Sequence, residues 1–448
     1  MKEKNNGSLF LKIVAIVTAC LIFILIAVFA VLYFLNRKPA AAFYGISDKT
    51  REVIEKNLQG TVKTREGKKA YEIVVLDDSI PLSDALKKVR KIDILFIHDG
   101  LNANYAYEIV RNKNLGFVKD EVLSGMTSSI RQTAPDYKEK KYVENIPQNL
   151  SEEQRAKIAE ENRLYNKVSA IPMLLDNYEI DVKFANFNDS KVGSVNYWKD
   201  LEKLSEYNKK VLSSPVLYAG GDDRELINIV GALTESLSGL NEWKKAVSEI
   251  EKSVASGGNS KKNGKNLVEV AETLVSEGNS LYPAIDFLRN WKANGYLPRN
   301  VNQLSKRDLA AYANAEETGI LFMNLETHRT YKDSVIGKYR SIYFPSDYGN
   351  QYRNFTAPVI MALSLSKNES CRGSVKLLCR NLQEKLSFGT GLAPALANCG
   401  VPDKQADDAR YWVAATEKPL PALSDAAFLS DSQRTVFASI IRSAIEKR

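Results

Sequence analysis

The sequence predicts an α/β protein with two lobes, preceded by one N-terminal transmembrane helix. Short apolar strands alternate with amphipathic helices, which is the pattern of a parallel sheet with crossover connections. At 448 residues the chain exceeds one typical hydrophobic core, so two lobes are expected. Residues 13–35 form a run of 23 residues without a charge, which is long enough to cross a bilayer as a helix.

The apolar run has three possible interpretations. Its length, and the Arg37–Lys38 pair that ends it, favour an uncleaved anchor, with residues 1–38 as cytoplasmic tail and transmembrane segment. A cleaved signal ending near Ala42, or a lipoprotein signal ending at Cys20, are the alternatives. Basic residues flank the run on both sides, so charge alone does not set the orientation.

The composition is that of a globular protein and excludes several functional classes. Acidic and basic residues are mixed along the chain, and the net charge is only +8, so we expect no nucleic-acid partner. The sequence has no P-loop, no nucleophile elbow and no Cys/His spacing typical of zinc. We therefore expect no cofactor and no metal, and an enzyme is the least favoured function. The pairing of Cys371, Cys379 and Cys399 stays open.

The secondary structure was predicted from periodicity and capping residues. Ser47 is a candidate N-cap for the first helix of the body, and Ser151 opens a capping box. Strands are predicted at residues 43–46, 71–76, 93–97, 216–219, 320–323, 341–344 and 359–365. Helices are predicted from Ser47 to about 58, and over about 83–90, 151–165, 225–237, 282–291, 369–386 and 431–446, with another beginning at 197–201.

A polar loop follows each of the first three predicted strands, at residues 47–49, 77–79 and 98–100. Ligands of open α/β sheets bind at such strand ends. Asp99 follows a buried strand and precedes Gly100, which permits a close backbone approach. We therefore expect the Asp99 carboxylate to help hold a ligand, with a helix N-cap as the alternative role.

Several short stretches occur in an order that resembles a known family. DILFIHDGLNANYA at 93–106 is a strand followed by a small-residue turn, and 171–180 is a Pro-containing hinge segment. Further stretches are NYWKDL at 196–201, GILFM at 319–323, KNES at 367–370 and TGLAP at 390–394. From residue 43 to 398 this order resembles extracellular solute-binding proteins of the maltodextrin-binding type, the receptors of ABC importers. The family's tryptophan after the fourth stretch is replaced here by Glu326-Thr327-His328-Arg329.

The resemblance implies a two-lobed, periplasmic-binding-protein-like fold with a hinge. It divides the chain into a first lobe at 41–174 with an insertion at 126–166, a second lobe at 178–345, a return to the first lobe at 356–395, and C-terminal helices at 396–448 packing on the second lobe. Carried over by position, the ligand-binding residues are Asp48, Lys49 and Asp99 on the first lobe, Asp176 and Asn177 at the hinge, Asp222 and Arg224 on the second lobe, and Glu326 and His328 nearby.

The same resemblance implies a function. The protein would be a membrane-anchored extracellular receptor that captures a small solute, a carbohydrate or related polar molecule, in an interlobe cleft for an ABC importer permease. Its body would lie outside the cytoplasm, periplasmic or extracellular, held at the cell membrane by a single span. The alternative is a two-lobed ectodomain that acts as a sensor or surface interaction protein without a transport role. The missing tryptophan and the spanning anchor keep that alternative open.

Overall fold

The computed structural model describes residues 14–25, 37–62, 70–138, 146–165, 167–190, 195–255, 266–346 and 355–447. Within them the chain forms two α/β lobes, each with its own sheet and its own hydrophobic cluster. Residues 14–25 are helical, and the rest of the 13–35 run lies outside the described residues. Among the described helices, none has the length and apolar character needed to cross a membrane.

The described chain contains short strands, most of them buried. They are β1 Ala40–Tyr44, β2 Glu72–Val75, β3 Ile94–His98, β4 Phe117–Val118, β5 Lys167–Val168, β6 Ile171–Leu175, β7 Tyr178–Lys183, β8 Ser214–Tyr218, β9 Thr318–Asn324, β10 Tyr339–Ile342, β11 Phe355–Thr356, β12 Val359–Ser364, β13 Ala393–Pro394 and β14 Pro419–Leu420.

The helices of the body surround the two main sheets. After α1 (14–25) they are α2 Asp48–Gln59, α3 Leu82–Lys87, α4 Leu101–Asn112, α5 Lys119–Val122, α6 Ser128–Arg131, α7 Glu152–Tyr165, α8 Phe184–Asp189, α9 Trp198–Val211, α10 Asp223–Ser238, α11 Leu240–Ala255, α12 Leu267–Leu274, α13 Tyr282–Ala293, α14 Lys306–Asn314, α15 Leu325–His328, α16 Asp333–Ile336, α17 Glu369–Arg380, α18 Gln383–Thr390, α19 Lys404–Ala414, α20 Leu423–Ala427 and α21 Asp431–Glu446.

The first lobe is built on a mixed sheet of order β13-β6-β12-β3-β1-β2. The apolar run of β3 is central and pairs in parallel with β1 and antiparallel with β12. Ser47 caps α2 as predicted, because its hydroxyl accepts a hydrogen bond from the backbone N–H of Thr50. Both capping-box hydrogen bonds of Ser151 and Gln154 are also present.

The second lobe is built on a sheet of order β10-β7-β9-β8, in which β8 and β9 are parallel. Trp198 and Trp291 lie in its hydrophobic cluster, with their ring centroids 6.2 Å apart. Phe287 contacts both rings at 4.5–4.6 Å between centroids. Both tryptophans are therefore core residues, and neither is a platform for a ligand.

Three segments of the described chain connect the lobes. Asp176 and Asn177 lie between β6 and β7, which belong to different sheets. The chain returns between β10 and β12, and crosses again between α19 and α20, where β14 pairs with β11. Several crossing segments of this kind are the structural basis of hinge motion between lobes.

Three elements differ from their predictions. The apolar strand predicted at 71–76 would suit a buried position, but β2 is the edge strand of its sheet, and Val75 is 58% exposed. The single helix predicted over 369–386 is two helices, α17 and α18. Of the C-terminal segment 396–448, α21 packs on the second lobe, whereas α19 contributes Ala406 and Ala409 to the first hydrophobic cluster. An apolar helix face does not reveal which lobe buries it.

Candidate functional site

A cleft lies where the two lobes face each other beside the hinge. It encloses a cavity of about 220 Å³. The lining side chains are mostly polar and come from both lobes and from the hinge. They include Ser47, Asp78 and His98 from the first lobe, Asp176 and Tyr178 from the hinge, and Arg224, Glu225, Asn228, Lys306, Asn324, Glu326 and Asp425 from the second lobe.

Asp176 forms the floor of the cleft, at the point where the chain leaves the first sheet. Its carboxylate accepts hydrogen bonds from Asn324 Nδ2 at 2.6 Å and from the backbone N–H of Glu326 at 2.8 Å. Burial, and then the nearby charge of Glu326, raise the pKa of Asp176 well above its ordinary value. The floor is therefore a buried carboxyl group that these hydrogen bonds hold in one orientation.

The wall formed by α10 presents a hydrogen-bonded chain of four side chains. Glu225 and Asn228 lie three residues apart on one face of the helix. The Tyr178 hydroxyl donates to Glu225 Oε2 and accepts from Asn228 Nδ2, both at 2.8 Å. Lys306 Nζ pairs with Glu225 Oε1 at 2.6 Å. Burial opposes the charged form of Lys306, but the Glu225 carboxylate outweighs it and raises the Lys306 pKa.

Polar contacts join the two lobes directly across the cleft. Arg224 Nη2 lies 2.8 Å from Asp78 Oδ2 on the first lobe and 3.0 Å from Asp431 Oδ1 on the second. Glu326 accepts hydrogen bonds from Thr50 Oγ1 at 2.7 Å and from the Ser47 hydroxyl. The structure is thus a state in which the lobes touch, with charged groups of the cleft already partnered across it.

The backbone also approaches closely at one edge of the cleft. Gly100, the N-cap of α4, has φ +149°, and a Cβ built there would lie 2.3 Å from the backbone oxygen of Asp425. Only glycine fits this contact, because any side chain would collide with α20. His98 Nδ1 and Asp425 Oδ2 face each other nearby at 3.8 Å.

The cleft is acidic and has no large aromatic platform. Five of its lining side chains are carboxylic acids, and two, Arg224 and Lys306, are basic. No tryptophan or phenylalanine is among the lining residues of the described cleft, and the Tyr178 hydroxyl is already held by Glu225. The arrangement can accept many hydrogen bonds from a ligand, and it offers little surface for stacking against a sugar face.

Three of the nine residues predicted to bind a ligand line this cleft, namely Asp176, Arg224 and Glu326. Asp48 and Lys49 lie in the first turn of α2 but not in the lining. The Asp48 side chain is 84% exposed and pairs with Arg51, and Lys49 Nζ lies 3.4 Å from the backbone oxygen of Arg329.

The other four predicted residues also lie outside the lining. Asp99 accepts a hydrogen bond from the Tyr107 hydroxyl at 2.9 Å, and burial raises its pKa. Two have structural contacts with backbone groups: Asn177 Nδ2 donates to the backbone oxygen of Ala409, and Asp222 Oδ2 accepts from the backbone N–H of Lys306.

His328 is fully buried on the second sheet, within reach of Glu179 and Asp181. It does not face the cleft. The prediction placed it beside Glu326 because the two residues are close in sequence. They lie in one short helix, α15, whose Glu326 lines the cleft while His328 points into the interior of the second lobe.

Sequence reasoning missed several cleft residues for identifiable reasons. Asp78 lies in one of the three strand-end loops, so its position was available from the pattern. Glu225 and Asn228 lie on a helix whose sequence is mostly apolar, so its pattern did not indicate that they face a ligand site. Asp425 comes from a short helix more than three hundred positions away from Asp99, and only tertiary structure brings it to the cleft.

Comparison with known proteins gives matches among solved structures. No family model matches the chain, and no curated protein matches it. The bacterial solute receptor AcbH, which has an exclusive preference for β-D-galactopyranose, superposes with a TM-score of 0.60 at 9% identity, over 91% of this chain and 96% of AcbH. Maltose-bound MalE3 of T. maritima gives 0.55 at 13% identity, over 92% and 97%. RafE in complex with raffinose gives 0.55 at 12% identity, over 91% and 97%.

These matches span nearly the whole of each compared chain, so the likeness concerns the complete two-lobed architecture. At such low identity the likeness establishes the fold but not the ligand, which has to be inferred from the residues of the cleft. The resemblance noted in the sequence is therefore confirmed at the level of the fold. The chain has the two-lobed α/β fold of sugar-binding solute receptors.

Proposed function

We propose that this protein is a solute receptor that captures a small polar molecule between its lobes. The observation that carries the proposal is the cleft, in which acidic and amide side chains from both lobes and the hinge converge on one cavity. Such convergence of polar groups beside a hinge is typical of sites that close on a ligand. The fold supports the same function, because the similar structures are solute receptors. Capture without catalysis is the activity that we propose.

The cavity favours a small ligand with many hydrogen-bond donors. Its volume of about 220 Å³ lies below the roughly 300–1,000 Å³ of pockets for drug-sized ligands. Carboxylates accept hydrogen bonds from hydroxyl and amino groups, and the cleft has more carboxylic acids than basic residues. We propose a monosaccharide-sized polyol, sugar or amino sugar in preference to an oligosaccharide, which would need a longer groove and stacking rings.

The cellular setting follows the same proposal. The uncharged run at 13–35 would anchor the chain in the cell membrane by a single span, with the body outside the cytoplasm. A receptor of this architecture would deliver its solute to an ABC importer permease. N-terminal sequencing of the membrane-bound protein tests the anchor, because a chain that begins at Cys20 or near Phe43 would contradict it. Protease accessibility in envelope-permeabilised cells tests the orientation of the body.

A second function is favoured by one specific observation. The charged groups of the cleft already have partners across it, since Arg224 pairs with Asp78 and Glu326 accepts from Thr50. A body whose lobes are held together by its own side chains can act as a sensor or surface interaction protein without binding a solute. This alternative predicts that no small molecule stabilises the protein.

A thermal-shift screen of the full chain in detergent separates the two functions. Monosaccharides, polyols, amino sugars and small amines are added singly at high concentration. The receptor function predicts that at least one class raises the melting temperature, because a ligand that binds only the folded state stabilises it. The rise should disappear in Asp425→Asn and persist in Asp48→Asn, a matched change on the exposed surface. A screen without any shift favours the interaction protein.

A further inference from the structure

A sealed polar cluster lies in the second lobe, on the side of the cleft wall away from the cavity. Glu179 and Asp181 lie two residues apart on β7, so both side chains project from the same face of the sheet. Ser341 on β10 is paired opposite Asp181. His328 ends α15 and completes the set. All four side chains are buried, and those of Glu179, Asp181 and His328 are 0% exposed.

The four side chains point one donor atom each at a common centre. His328 Nδ1 lies 2.9 Å from Glu179 Oε1, 3.1 Å from Asp181 Oδ1 and 3.3 Å from Ser341 Oγ. Ser341 Oγ lies 3.0 Å from Glu179 Oε1 and 3.1 Å from Asp181 Oδ1. Five of the six distances between these four atoms thus measure 2.9–3.3 Å, and the ligand atoms of Glu179, Asp181 and His328 all lie within 4.8 Å of one another.

The charges of the cluster are not balanced by the groups around it. Two carboxyl groups share one imidazole ring and lie close to each other. Glu179 Oε2 and Asp181 Oδ2 have no partner in hydrogen-bond geometry within the described residues, although the Tyr331 hydroxyl lies close to Asp181. The guanidinium of Arg329 is held by Asp403. Buried charges are costly unless they are paired or bind a metal ion.

We propose that Glu179 Oε1, Asp181 Oδ1, His328 Nδ1 and Ser341 Oγ form a structural binding site for a zinc ion. A dication would neutralise the two carboxylates, and an imidazole with carboxylate oxygens is an ordinary zinc ligand set. The ring would bind the ion through Nδ1 and carry its proton on Nε2. Nε2 lies 3.4 Å from the side-chain nitrogen of Gln405.

The number and spacing of the donor atoms favour zinc over calcium and magnesium. Zinc–ligand distances of about 2.0–2.1 Å in a tetrahedron place the ligand atoms about 3.3–3.4 Å apart. The observed distances of 2.9–3.3 Å need only a slight expansion. Calcium requires about six to eight oxygen ligands at roughly 2.3–2.6 Å, and magnesium usually keeps several waters. This closed site has four donor atoms, one of them a nitrogen.

The location gives the ion a structural role. α15 carries His328 in the cluster and Glu326 in the cleft, two residues apart. A metal bond to His328 would fix this short helix to β7 and β10, and would thereby hold Glu326 in place. The site stands on its own geometry and does not depend on which solute the cleft binds.

Metal analysis of the full chain in detergent tests the proposal. Protein stripped with a chelator and then given Zn²⁺ should bind one equivalent by mass spectrometry of the metal. Its melting temperature should rise by at least about 3 °C at saturation, as expected for a ligand of the folded state. Asp181→Asn and Ser341→Ala should bind zinc at least about tenfold more weakly. Glu326→Gln and Asp425→Asn, which alter cleft acids, should bind it like the wild type.

X-ray absorption of zinc on the wild-type protein provides a check that requires no variant. We expect four nitrogen or oxygen ligands at about 2.0–2.1 Å and no sulfur ligand. The proposal is overturned if zinc does not bind with one-to-one stoichiometry, if it binds through sulfur, or if the cleft variants lose it while Asp181→Asn retains it. An unchanged melting temperature with saturating Zn²⁺ would equally overturn it.

Discussion

The cleft and the buried cluster of the second lobe contain the same kinds of side chain in opposite surroundings. In the cleft, Lys306 pairs with Glu225, and water reaches the cavity. In the cluster, Glu179 and Asp181 are sealed away with one histidine. Burial raises the pKa of Glu179 to about 8 and that of Asp181 to about 7, and it lowers the pKa of His328. Glu225, which has a cationic partner beside the cavity, can serve a ligand, whereas the sealed acids need a proton or a metal.

The largest effect is expected from removing the basic group of the sealed cluster. His328→Leu leaves two buried carboxyl groups without the ring that hydrogen-bonds to them, and should lower the free energy of unfolding by about 3–5 kcal/mol. The matched cleft variant Lys306→Met should cost less, about 1–2 kcal/mol, because the Lys306 side chain is 39% exposed and Tyr178 still donates to Glu225, whose side chain is 6% exposed. Urea denaturation measures both. Equal losses of unfolding free energy in the two variants would show that the cluster and the cleft do not differ in the cost of removing a basic partner.

The next effect concerns Asp99, which the sequence placed in the ligand site. Asp99→Ala leaves the Tyr107 hydroxyl without its acceptor, so we expect a loss of about 1–3 kcal/mol in stability and an unchanged ligand affinity. The double variant Asp99→Ala/Tyr107→Phe should recover part of that loss, because it removes both partners. Thermal melts and calorimetric titration measure the two quantities. Weaker ligand binding with normal stability would instead show that Asp99 contributes to the ligand site.

A smaller effect is expected from cutting the ion pairs between the lobes. Arg224→Met removes the contacts with Asp78 and Asp431, and should lower stability by only about 0.5–1 kcal/mol, since all three side chains are partly exposed. Its clearer consequence is a wider separation of the lobes, visible as a larger radius of gyration in small-angle scattering. Arg51→Met, which cuts the exposed pair with Asp48, is the control. Identical scattering of all three proteins would show that Arg224 does not hold the lobes together.

The last effect is a pH dependence, and it belongs to Asp176. Its pKa is raised in the folded state, first by burial and then by Glu326. The stability associated with this proton is therefore complete below the ordinary carboxyl pKa of about 3.9, and is lost as the pH rises through the raised pKa. Asp176→Asn has no such proton. The variant should gain stability relative to the wild type as the pH rises, in urea titrations from acid to alkaline buffer. A difference that is constant with pH would contradict the raised pKa.

Much of the fold could be predicted from local patterns. The continuous apolar runs of β3, β9 and β12 indicated buried strands, and Ser47 and Ser151 marked helix starts. The edge position of β2 could not be predicted, because strand order is set by long-range pairing. The cleft was predictable only where it uses strand-end loops and the hinge, as at Asp78 and Asp176.

The buried cluster could not have been found from residue spacing. Glu179 and His328 are separated by 149 positions, so no compact metal motif exists in the chain. The prediction of no metal rested on the absence of such a motif. The available signal was weaker: two acids at alternate positions of an otherwise apolar strand, which face the same side of a sheet and require compensation.

Calorimetric titration of the best compound from the thermal-shift screen tests the central claim most directly. If the cleft is a solute site built from both lobes, the wild type should bind one molecule per chain. Asp425→Asn should weaken binding about tenfold or more, as expected for one lost hydrogen bond to a charged group. Asp48→Asn should bind like the wild type. Equal affinity in all three proteins, or the absence of a saturable heat for every compound, would contradict the account.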